Sequence, residues 1–336
     1  MRWVLIVGLV VPILVAAGAA GGLAMREGSP RRPPAERVAA SAERCQDADG
    51  DGYGLWCAAG ADCNDRDRAV HPGASEICNF RDDDCNALVD DAPTCTPPPF
   101  EPVRVDVPAG RFLMGSAEGA RDERPVRAVA LAAFQIDRYE VTNRRYRACV
   151  TAGKCAPPAL GSSHRRARYY GEPAFLDYPV IFVGWQEATQ YCRFAGGRLP
   201  TEAEWEKAAR GGGESLRPFP WGDEPPDCSR ANMGGAGSCG DDTDRVGRRL
   251  LGRSPYGALD MAGNVWEWVA DWYDPDYYAT AGSTDPSGPA AGTLKVARGG
   301  CWQSGADTLR VSCRKAELPT TFAYNLGFRC AYPKGR

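Results

Sequence analysis

Histidine is scarce in this sequence, which holds only His71 and His164 among its 336 residues. Most zinc and non-haem iron sites use several imidazoles, so a three-histidine iron centre is excluded from the region after residue 103, where His164 stands alone. A strong charge of either sign is also missing, because 40 Lys and Arg stand against 43 Asp and Glu. A nucleic-acid partner is therefore not expected, since phosphate binding needs a basic surface.

Long apolar runs are missing as well, apart from one at the start of the chain. Residues 3–25 are uncharged and almost wholly apolar or small. About 20 such residues span a bilayer, whereas a cleaved signal peptide usually has a shorter apolar stretch. We therefore expect residues 1–25 to be a signal peptide or a signal anchor. The protein is then exported to the periplasm or the cell surface, either secreted or, if the segment is not cleaved, anchored in the membrane.

Cysteine, by contrast, is abundant, and all 14 cysteines lie beyond residue 44. Outside the cytosol we expect them to form disulfides, because reducing compartments are what keeps thiols free. Residues 26–44 contain three prolines and no apolar periodicity, which predicts a linker. Residues 96–102 include three consecutive prolines and predict a second, stiffer Pro-rich linker.

The segment between the two linkers, residues 45–95, is rich in Cys and Asp. Its eleven Asp and one Glu face three Arg, and these carboxylates repel one another unless water or a hard cation neutralises them. In D-A-D-G-D-G-Y, residues 47–53, an Asp stands at every second position up to residue 51, as in the first half of an EF-hand calcium loop. Asp47, Asp49 and Asp51 would supply side-chain oxygens, and Tyr53 a backbone carbonyl.

This loop departs from an EF-hand at its twelfth position, where Ala58 replaces the bidentate Glu. The missing oxygens are expected from Asp62, Asn64 or Asp65, and residues 82–84 are candidates for a second acidic cluster. The phrases D-x-D-G-D-G-Y-G, D-C-N-D-x-D-x-A-V-H-P-G-A-x-E-x-C-N and D-D-D-C-N resemble a metal-binding motif of secreted bacterial proteins, some of them associated with copper. With the thiols in disulfides, oxygen-bound calcium is the expected metal. The alternative is a solvated acidic spacer held by disulfides.

Residues 103–336 predict one α+β domain with sparse regular secondary structure. Apolar residues alternate over 103–105 and recur over 112–115, and the Pro-Ala-Gly turn between them predicts a hairpin. Spacing and capping residues predict three helices: one after Thr142, one over 185–195, and one from the capping box Thr201–Glu204 to Gly211.

Seven phrases of this region occur in the order typical of one family. They are F-L-M-G-S at 112–116, Y-E-V-T-N at 139–143, R-L-P-T-E-A-E-W-E at 198–206, P-W-G at 220–222, Y-G-A-L-D-M-A-G-N-V-W-E-W at 256–268, R-G-G at 298–300 and N-L-G-F-R at 325–329. The region resembles the formylglycine-generating enzyme, or sulfatase-modifying factor, family along its whole length. The resemblance implies a variant C-type-lectin-like fold.

The family's two catalytic cysteines bind copper shortly after the R-G-G phrase. By resemblance their positions fall on Ser304 and Leu309, neither of which offers a thiolate to Cu(I). We therefore expect no catalytic residue of the family kind and no copper. Cys301 and Cys313 lie twelve residues apart, and we expect them to form a disulfide; a displaced metal site is the alternative.

The family's calcium sites are better matched. By resemblance, one site would use Asp260, Gly263, Val265 and Glu267, and the alternative is a Trp-rich core strand with an exposed Glu. A second would start at Asn232 and Met233 and be completed by Asp241 or Asp242. The resemblance also pairs Cys192 with Cys330, while short spacing suggests the pairs Cys149–Cys155 and Cys228–Cys239.

Three function classes follow. The leading prediction is a non-catalytic binding or structural module. Its ligand, a protein or a glycan, would occupy the cleft where the family's catalytic positions lie, near Trp266, Ser304 and Asn325; we call this the old cleft. The second is a divergent enzyme of the superfamily acting on a protein or small molecule. The third is an active formylglycine generator with relocated cysteines, and a Ser–His–Asp triad built on His164 has no motif to support it.

Overall fold

The computed structural model describes residues 45–77, 82–86 and 104–334. The predicted export segment and both linkers lie outside the described residues, as do Cys78 and Cys95. No helix within the described ranges has the length and apolar character needed to cross a membrane.

Nine short strands and four helices are distributed along residues 104–334, with long irregular connections between them. The strands are β1 (Arg104–Val107), β2 (Gly110–Met114), β3 (Arg127–Leu131), β4 (Phe134–Asp137), β5 (Trp266–Trp272), β6 (Lys295–Arg298), β7 (Lys315–Glu317), β8 (Leu326–Phe328) and β9 (Ala331–Pro333). The helices are α1 (Asn143–Thr151), α2 (Trp185–Phe194), α3 (Glu202–Arg210) and the single turn α4 (Tyr277–Thr280).

The strands form three small sheets, ordered β1-β4-β9, β2-β3 and β7-β6-β5-β8. All neighbours are antiparallel except β5 and β8, which run parallel. The predicted early hairpin is wrong, because β1 pairs with β4 and β2 pairs with β3. The turn after Val107 leads the chain from one sheet to another. Which strands β1 and β2 pair with depends on the positions of β3 and β4, and not on the turn itself.

The three predicted helices are present. Thr142 caps α1 by accepting a hydrogen bond from Arg145 N. In α3 the capping box is complete, with Glu204 N donating to Thr201 Oγ1 (3.2 Å) and Thr201 N donating to Glu204 Oε2 (2.8 Å). Gly211 ends the helix at a φ of 95°, a conformation that disfavours any side chain.

The core has two main parts, one on each side of β5. Trp268 packs with α1, α2 and β8, while its neighbour Val269 packs with β1–β4 and α3. Successive strand residues point to opposite faces, so this one strand supplies both parts. The disulfide Cys192–Cys330 ties α2 to the chain between β8 and β9. The phrase that contains β5 is thereby fixed from both sides.

The Cys- and Asp-rich segment is built differently. Its described residues contain no helix or strand, only an isolated bridge between Gln46 and Leu55. Two disulfides, Cys45–Cys57 and Cys63–Cys85, cross-link it. We call residues 45–77 and 82–86 the acidic module.

Candidate functional site

The acidic module gathers the carboxylates that its sequence spacing predicted. Oxygens of Asp49, Asp51 and Asp62 lie within 4.8 Å of one another, and so do oxygens of Asp47, Asp49 and Asp65. Asp62 and Asp65, two of the three residues expected to complete the loop, therefore meet the D-x-D-x-D phrase in space. The cluster contains only carboxylate oxygens, the ligands that calcium prefers.

Backbone amides shape this cluster. Asp47 accepts hydrogen bonds from Gly50 N (2.6 Å) and Gly52 N (2.9 Å), and these bonds lower its pKa. Tyr53 N donates to Asp51 Oδ1 (2.8 Å), so Tyr53 closes the same turn. The loop is thus wound by its own carboxylates, each of which keeps further lone pairs for a cation.

Several oxygens of the cluster face inward. The Oδ2 atoms of Asp49, Asp51 and Asp62 are buried and accept no hydrogen bond from the described residues. Burial raises the pKa of Asp49, and the charges of Asp51, Asp62 and Asp47 raise it further. Three acceptors without a donor, inside a zone of uncompensated negative charge, are chemically suited to a hard divalent cation.

A second acidic cluster lies at the other end of the module. Oxygens of Glu76, Asp82 and Asp84 come within 4.8 Å of one another, and Glu76 Oε1 accepts hydrogen bonds from the backbone amides of Asp83 and Asp84. His71 is not in either cluster; its ring stacks on Tyr53 at a centroid distance of 4.8 Å. The histidine therefore serves packing at its turn.

The predicted calcium site of the large domain is occupied in part by protein groups. Glu267 is fully buried; both of its oxygens bind Arg329, at 2.6 and 2.7 Å, and Oε2 also accepts from Trp205 Nε1. The alternative of an exposed Glu on a Trp-rich strand is therefore wrong. Asp260 Oδ2 accepts from Gly247 N (2.5 Å). A cation here would share Glu267 with a guanidinium.

The charge around this site is nevertheless unbalanced. Burial raises the pKa of Asp260 to about 6, and the pKa of Glu140 is raised well above its usual range by burial and by the charges of Asp260 and Glu267. Gly263 has a φ of 87°, and a Cβ there would meet the carbonyl oxygen of Asn232 at 2.3 Å. Val265 N donates to Glu140 Oε1 (3.1 Å). Excess negative charge and a tight backbone fit calcium.

The second predicted calcium site, starting at Asn232 and Met233, stays a prediction, and several of its groups already have protein partners. Asn232 Nδ2 donates to Asp242 O (3.0 Å) and Asn264 Oδ1 (3.2 Å). The side chain of Met233 packs in an apolar cluster. The two acids expected to complete it are paired with arginines, Asp241 with Arg165 and Asp242 with Arg166. A cation at this site would share both acids with these arginines.

Two of the three residues predicted to line the old cleft are buried. Trp266 is 5% and Ser304 8% exposed, whereas Asn325 is half-buried. Ser304 Oγ donates to Cys301 Sγ (3.6 Å), and Asn325 Nδ2 also donates to this sulfur (3.5 Å). Leu309 is fully buried in an apolar cluster. The family's second thiol position is thus part of the core.

The predicted disulfide between Cys301 and Cys313 is absent, and both cysteines are free thiols. The sulfur of Cys301 faces Ser304 and Asn325, while Cys313 sits in a turn fixed on either side by Arg310–Glu123 and Arg314–Glu202 ion pairs. The other three predicted pairs, Cys149–Cys155, Cys192–Cys330 and Cys228–Cys239, are disulfides in the structure. A two-thiolate copper site at the family's two positions does not fit this chain, because those positions hold Ser304 and Leu309.

An aromatic cluster that the sequence did not predict borders the cleft. The ring of His164 lies 5.0 Å from Trp302 and 5.3 Å from Tyr324, measured between centroids. Gln303 accepts hydrogen bonds from Tyr324 Oη (3.2 Å) and Asn325 Nδ2 (3.3 Å). His164 lies on a long irregular loop, so no periodicity could have placed it here. Together these residues give the cleft a polar and aromatic rim.

Comparisons with known proteins agree with this description. The Sulfatase-modifying factor enzyme 1-like domain family matches residues 93–334, and the metal-binding motif Cu-binding_MopE matches residues 62–91. The formylglycine-generating enzyme of Streptomyces coelicolor is 37% identical over 280 residues, covering 68% of this chain and 88% of that enzyme. PvdO from Pseudomonas aeruginosa is a structural neighbour with a TM-score of 0.58 and 28% identity, covering 69% of this chain and 94% of that one.

A further group of relatives is much longer than the match. The serine/threonine-protein kinase pkn1 of Chlamydia caviae is 38% identical over 256 residues, which is 70% of this chain but 38% of the kinase. The chain therefore spans well under half of that relative, and the match concerns the shared region alone.

Proposed function

The chain belongs to the sulfatase-modifying factor enzyme 1-like family, and from that premise we propose that it is an exported binding protein, stabilised by calcium, that lacks the family's oxidase activity. One observation carries the proposal: Leu309 is fully buried among apolar side chains at a position where the family's reaction needs a thiol. Ser304, at the other position, offers a hydroxyl, which is a poor ligand for Cu(I).

The ligand of this binding protein is a protein or a glycan. The support comes from the rim of the cleft, where Tyr324, Gln303 and Asn325 present amide and hydroxyl groups beside an aromatic surface. Amides hydrogen-bond hydroxyl groups and peptide groups alike, and aromatic rings add apolar contact area. The membrane is a second partner if residues 1–25 remain attached.

A peptide assay tests the loss of oxidase activity. The purified protein, loaded with copper and supplied with oxygen, is incubated with a sulfatase-type cysteine peptide, and formylglycine is measured by mass spectrometry. We expect no product above the copper-only background. Copper-dependent turnover by the protein would contradict the proposal.

The second candidate function is a divergent enzyme, and the free thiol of Cys301 favours it. This sulfur lies in the old cleft against Ser304 and Asn325. If turnover appears in the peptide assay and is lost in Cys301→Ser but kept in Cys313→Ser, the relocated thiol carries the activity and this second function replaces the first.

The calcium part of the proposal rests on the oxygens of Asp49, Asp51 and Asp62. Oxygens of these three residues lie within 4.8 Å of one another, and their Oδ2 atoms accept no hydrogen bond from the described residues. Calcium would supply the missing positive charge. At Asp260 and Glu267 the donor set suits calcium too, although Arg329 already binds Glu267. Calorimetric titration of the metal-free protein should show a tighter site that disappears in the double variant Asp49→Asn, Asp51→Asn. Unchanged calcium binding by that variant would refute the assignment.

A further inference from the structure

A cavity of about 530 Å³ lies in the large domain, and its lining residues include none of the acidic module and none of Trp266, Ser304 and Asn325. Its walls are the turn that follows β2, the C-terminal end of α3 and the loop that carries residues 307–312. The volume falls within the range typical of sites for small molecules. The charges on its walls are not evenly distributed.

The inner wall is cationic. Arg210 lines the cavity, is 2% exposed, and binds Glu206 Oε1 (2.9 Å), Gly115 O (2.9 Å) and Arg217 O (3.2 Å) through its terminal nitrogens. Its Nε is buried and donates no hydrogen bond within the described residues. A guanidinium carries five N–H donors and a buried one without an acceptor is costly. One N–H donor of Arg210, a residue of the cavity wall, is thus left without an acceptor.

The buried ion network behind Arg210 leaves positive charge over. Arg298 binds both Glu202 and Glu206, and Arg314 binds Glu202, so with Arg210 three guanidiniums share two carboxylates. All five side chains are at most 8% exposed. A third buried acid, Asp271, accepts from Glu202 N but adds little negative charge at pH 7, because burial and the charge of Glu202 raise its pKa to about 8. At low effective dielectric such an excess attracts an anion strongly.

The outer rim of the cavity is anionic. Glu118, Asp223 and Asp307 line it and are exposed. The other arginine of the wall, Arg310, is neutralised by a two-point ion pair with Glu123, at 2.5 and 2.8 Å. The cavity therefore presents a positive inner wall and a negative mouth.

We propose that this cavity binds a small zwitterion, with its carboxylate on Arg210 and its ammonium group at the rim acids, and that free α-amino acids are the ligand class. A simple anion would be repelled by three carboxylates at the mouth, and a simple cation would meet Arg210 inside. Only a ligand with both charges, arranged head to tail, satisfies both walls.

Calorimetry on the purified full chain tests the proposal with defined probes. L-Alanine, L-leucine, L-lysine, L-glutamate and L-phenylalanine are titrated at up to 10 mM, and the amino acid that binds best is compared with its N-acetyl and amide derivatives. We expect at least one amino acid to bind and both derivatives to bind at least tenfold more weakly. Absence of binding by all five, or equal binding of either derivative, overturns the proposal.

Variants locate the site without disturbing the core. Asp223→Asn with Asp307→Asn should weaken amino-acid binding at least tenfold, because both changes remove exposed rim charge and keep the shape. Glu224→Gln is the matched control, an adjacent carboxylate that does not line the cavity, and it should change affinity less than twofold. If the double variant binds as tightly as the control, the cavity is not the binding site.

Discussion

The acidic module and the large domain treat their carboxylates in opposite ways. In the large domain, buried acids meet guanidiniums, as Glu267 meets Arg329 and Glu202 meets Arg314. In the module, oxygens of Asp49, Asp51 and Asp62 meet one another. The apolar contributions differ as well: Val70 is the one buried apolar side chain among the module's described residues, whereas the domain has two large clusters.

We propose that this difference makes the two parts of the chain depend on metal to different degrees. Where arginines supply the positive charge, a cation adds stability to a fold that already has a core. Where acids greatly outnumber basic residues and no apolar core forms, as in the module, we expect a cation to be part of the fold itself. The following experiments are ordered from the largest expected effect to the smallest.

Truncating Glu267 should have the largest effect on the domain. In Glu267→Ala the fully buried Arg329 loses the carboxylate that binds it at two points. Removing one partner of such a pair typically costs about 3–5 kcal/mol, measured here as the free energy of unfolding in urea. The control is Glu317→Ala, whose partner Lys315 is partly exposed, and it should cost less than about 1 kcal/mol. Equal losses would mean that the buried pair is not what holds β5 to β8.

The free thiols should separate the two regions chemically. All described cysteines of the module are in disulfides, while Cys301 and Cys313 of the domain are free. Alkylation of the denatured, non-reduced protein should therefore label these two alone, with Cys78 and Cys95 expected to be paired. Six or more labelled cysteines would overturn the disulfide assignment.

In the native protein, Cys313 should react slowly. Burial raises the pKa of its thiol to about 11, and only the thiolate is nucleophilic. Compared with an exposed thiol, its alkylation at pH 8 should be slower by about two orders of magnitude, and the rate should rise about tenfold per pH unit up to pH 11. A rate that levels off near pH 9 would show an unperturbed thiol.

Removing calcium should loosen the module before the domain. After chelation, with loss of bound calcium verified, protease cleavage within residues 45–86 should speed up at least tenfold. The melting temperature of the domain should fall by only a few degrees, because there calcium acts by mass action. Unchanged cleavage and unchanged melting, with the calcium gone, would refute both sites.

Two variants divide these effects. Asp49→Asn with Asp51→Asn should abolish the response of the module alone. Asp260→Asn should abolish the response of the domain alone, since its amide oxygen can still accept from Gly247 N. Asp260 is preferred to Glu267 here, because any change at Glu267 also disturbs Arg329.

A separate test, with pH as the variable, concerns Asp271. Burial, reinforced by the charge of Glu202, raises the pKa of Asp271 to about 8. Between its unfolded pKa near 4 and pH 8 the folded state binds the extra proton, so this group lowers stability as pH rises. In Asp271→Asn the decline in unfolding free energy from pH 5 to pH 8 should be shallower than in the parent, while Asp276→Asn, an exposed control, should follow the parent. Parallel curves for all three proteins would show that Asp271 is ionised in the fold.

Much of this protein can be predicted from local sequence. Three features lie where the sequence pattern placed them: the capping box at Thr201, the close cysteine pairs and the alternate aspartates of the module. Each depends on residues that are near one another in sequence. The ordered phrases after residue 103 identify the family for the same reason, since each is a short segment with its own turn or strand chemistry.

Other features were decided only by the tertiary structure. Glu267 meets Arg329 across 62 residues, so the predicted metal ligand is also one half of a buried ion pair. Cys301 and Cys313 have a spacing compatible with a disulfide, but each is held by different neighbours and both are free thiols. The strands β1 and β2 pair with β4 and β3, and not with each other. Sequence spacing tells which groups can meet nearby. Packing brings together groups that are distant in sequence, and these groups compete for the same few partners. Which charged and polar groups pair when they are buried therefore depends on the whole core.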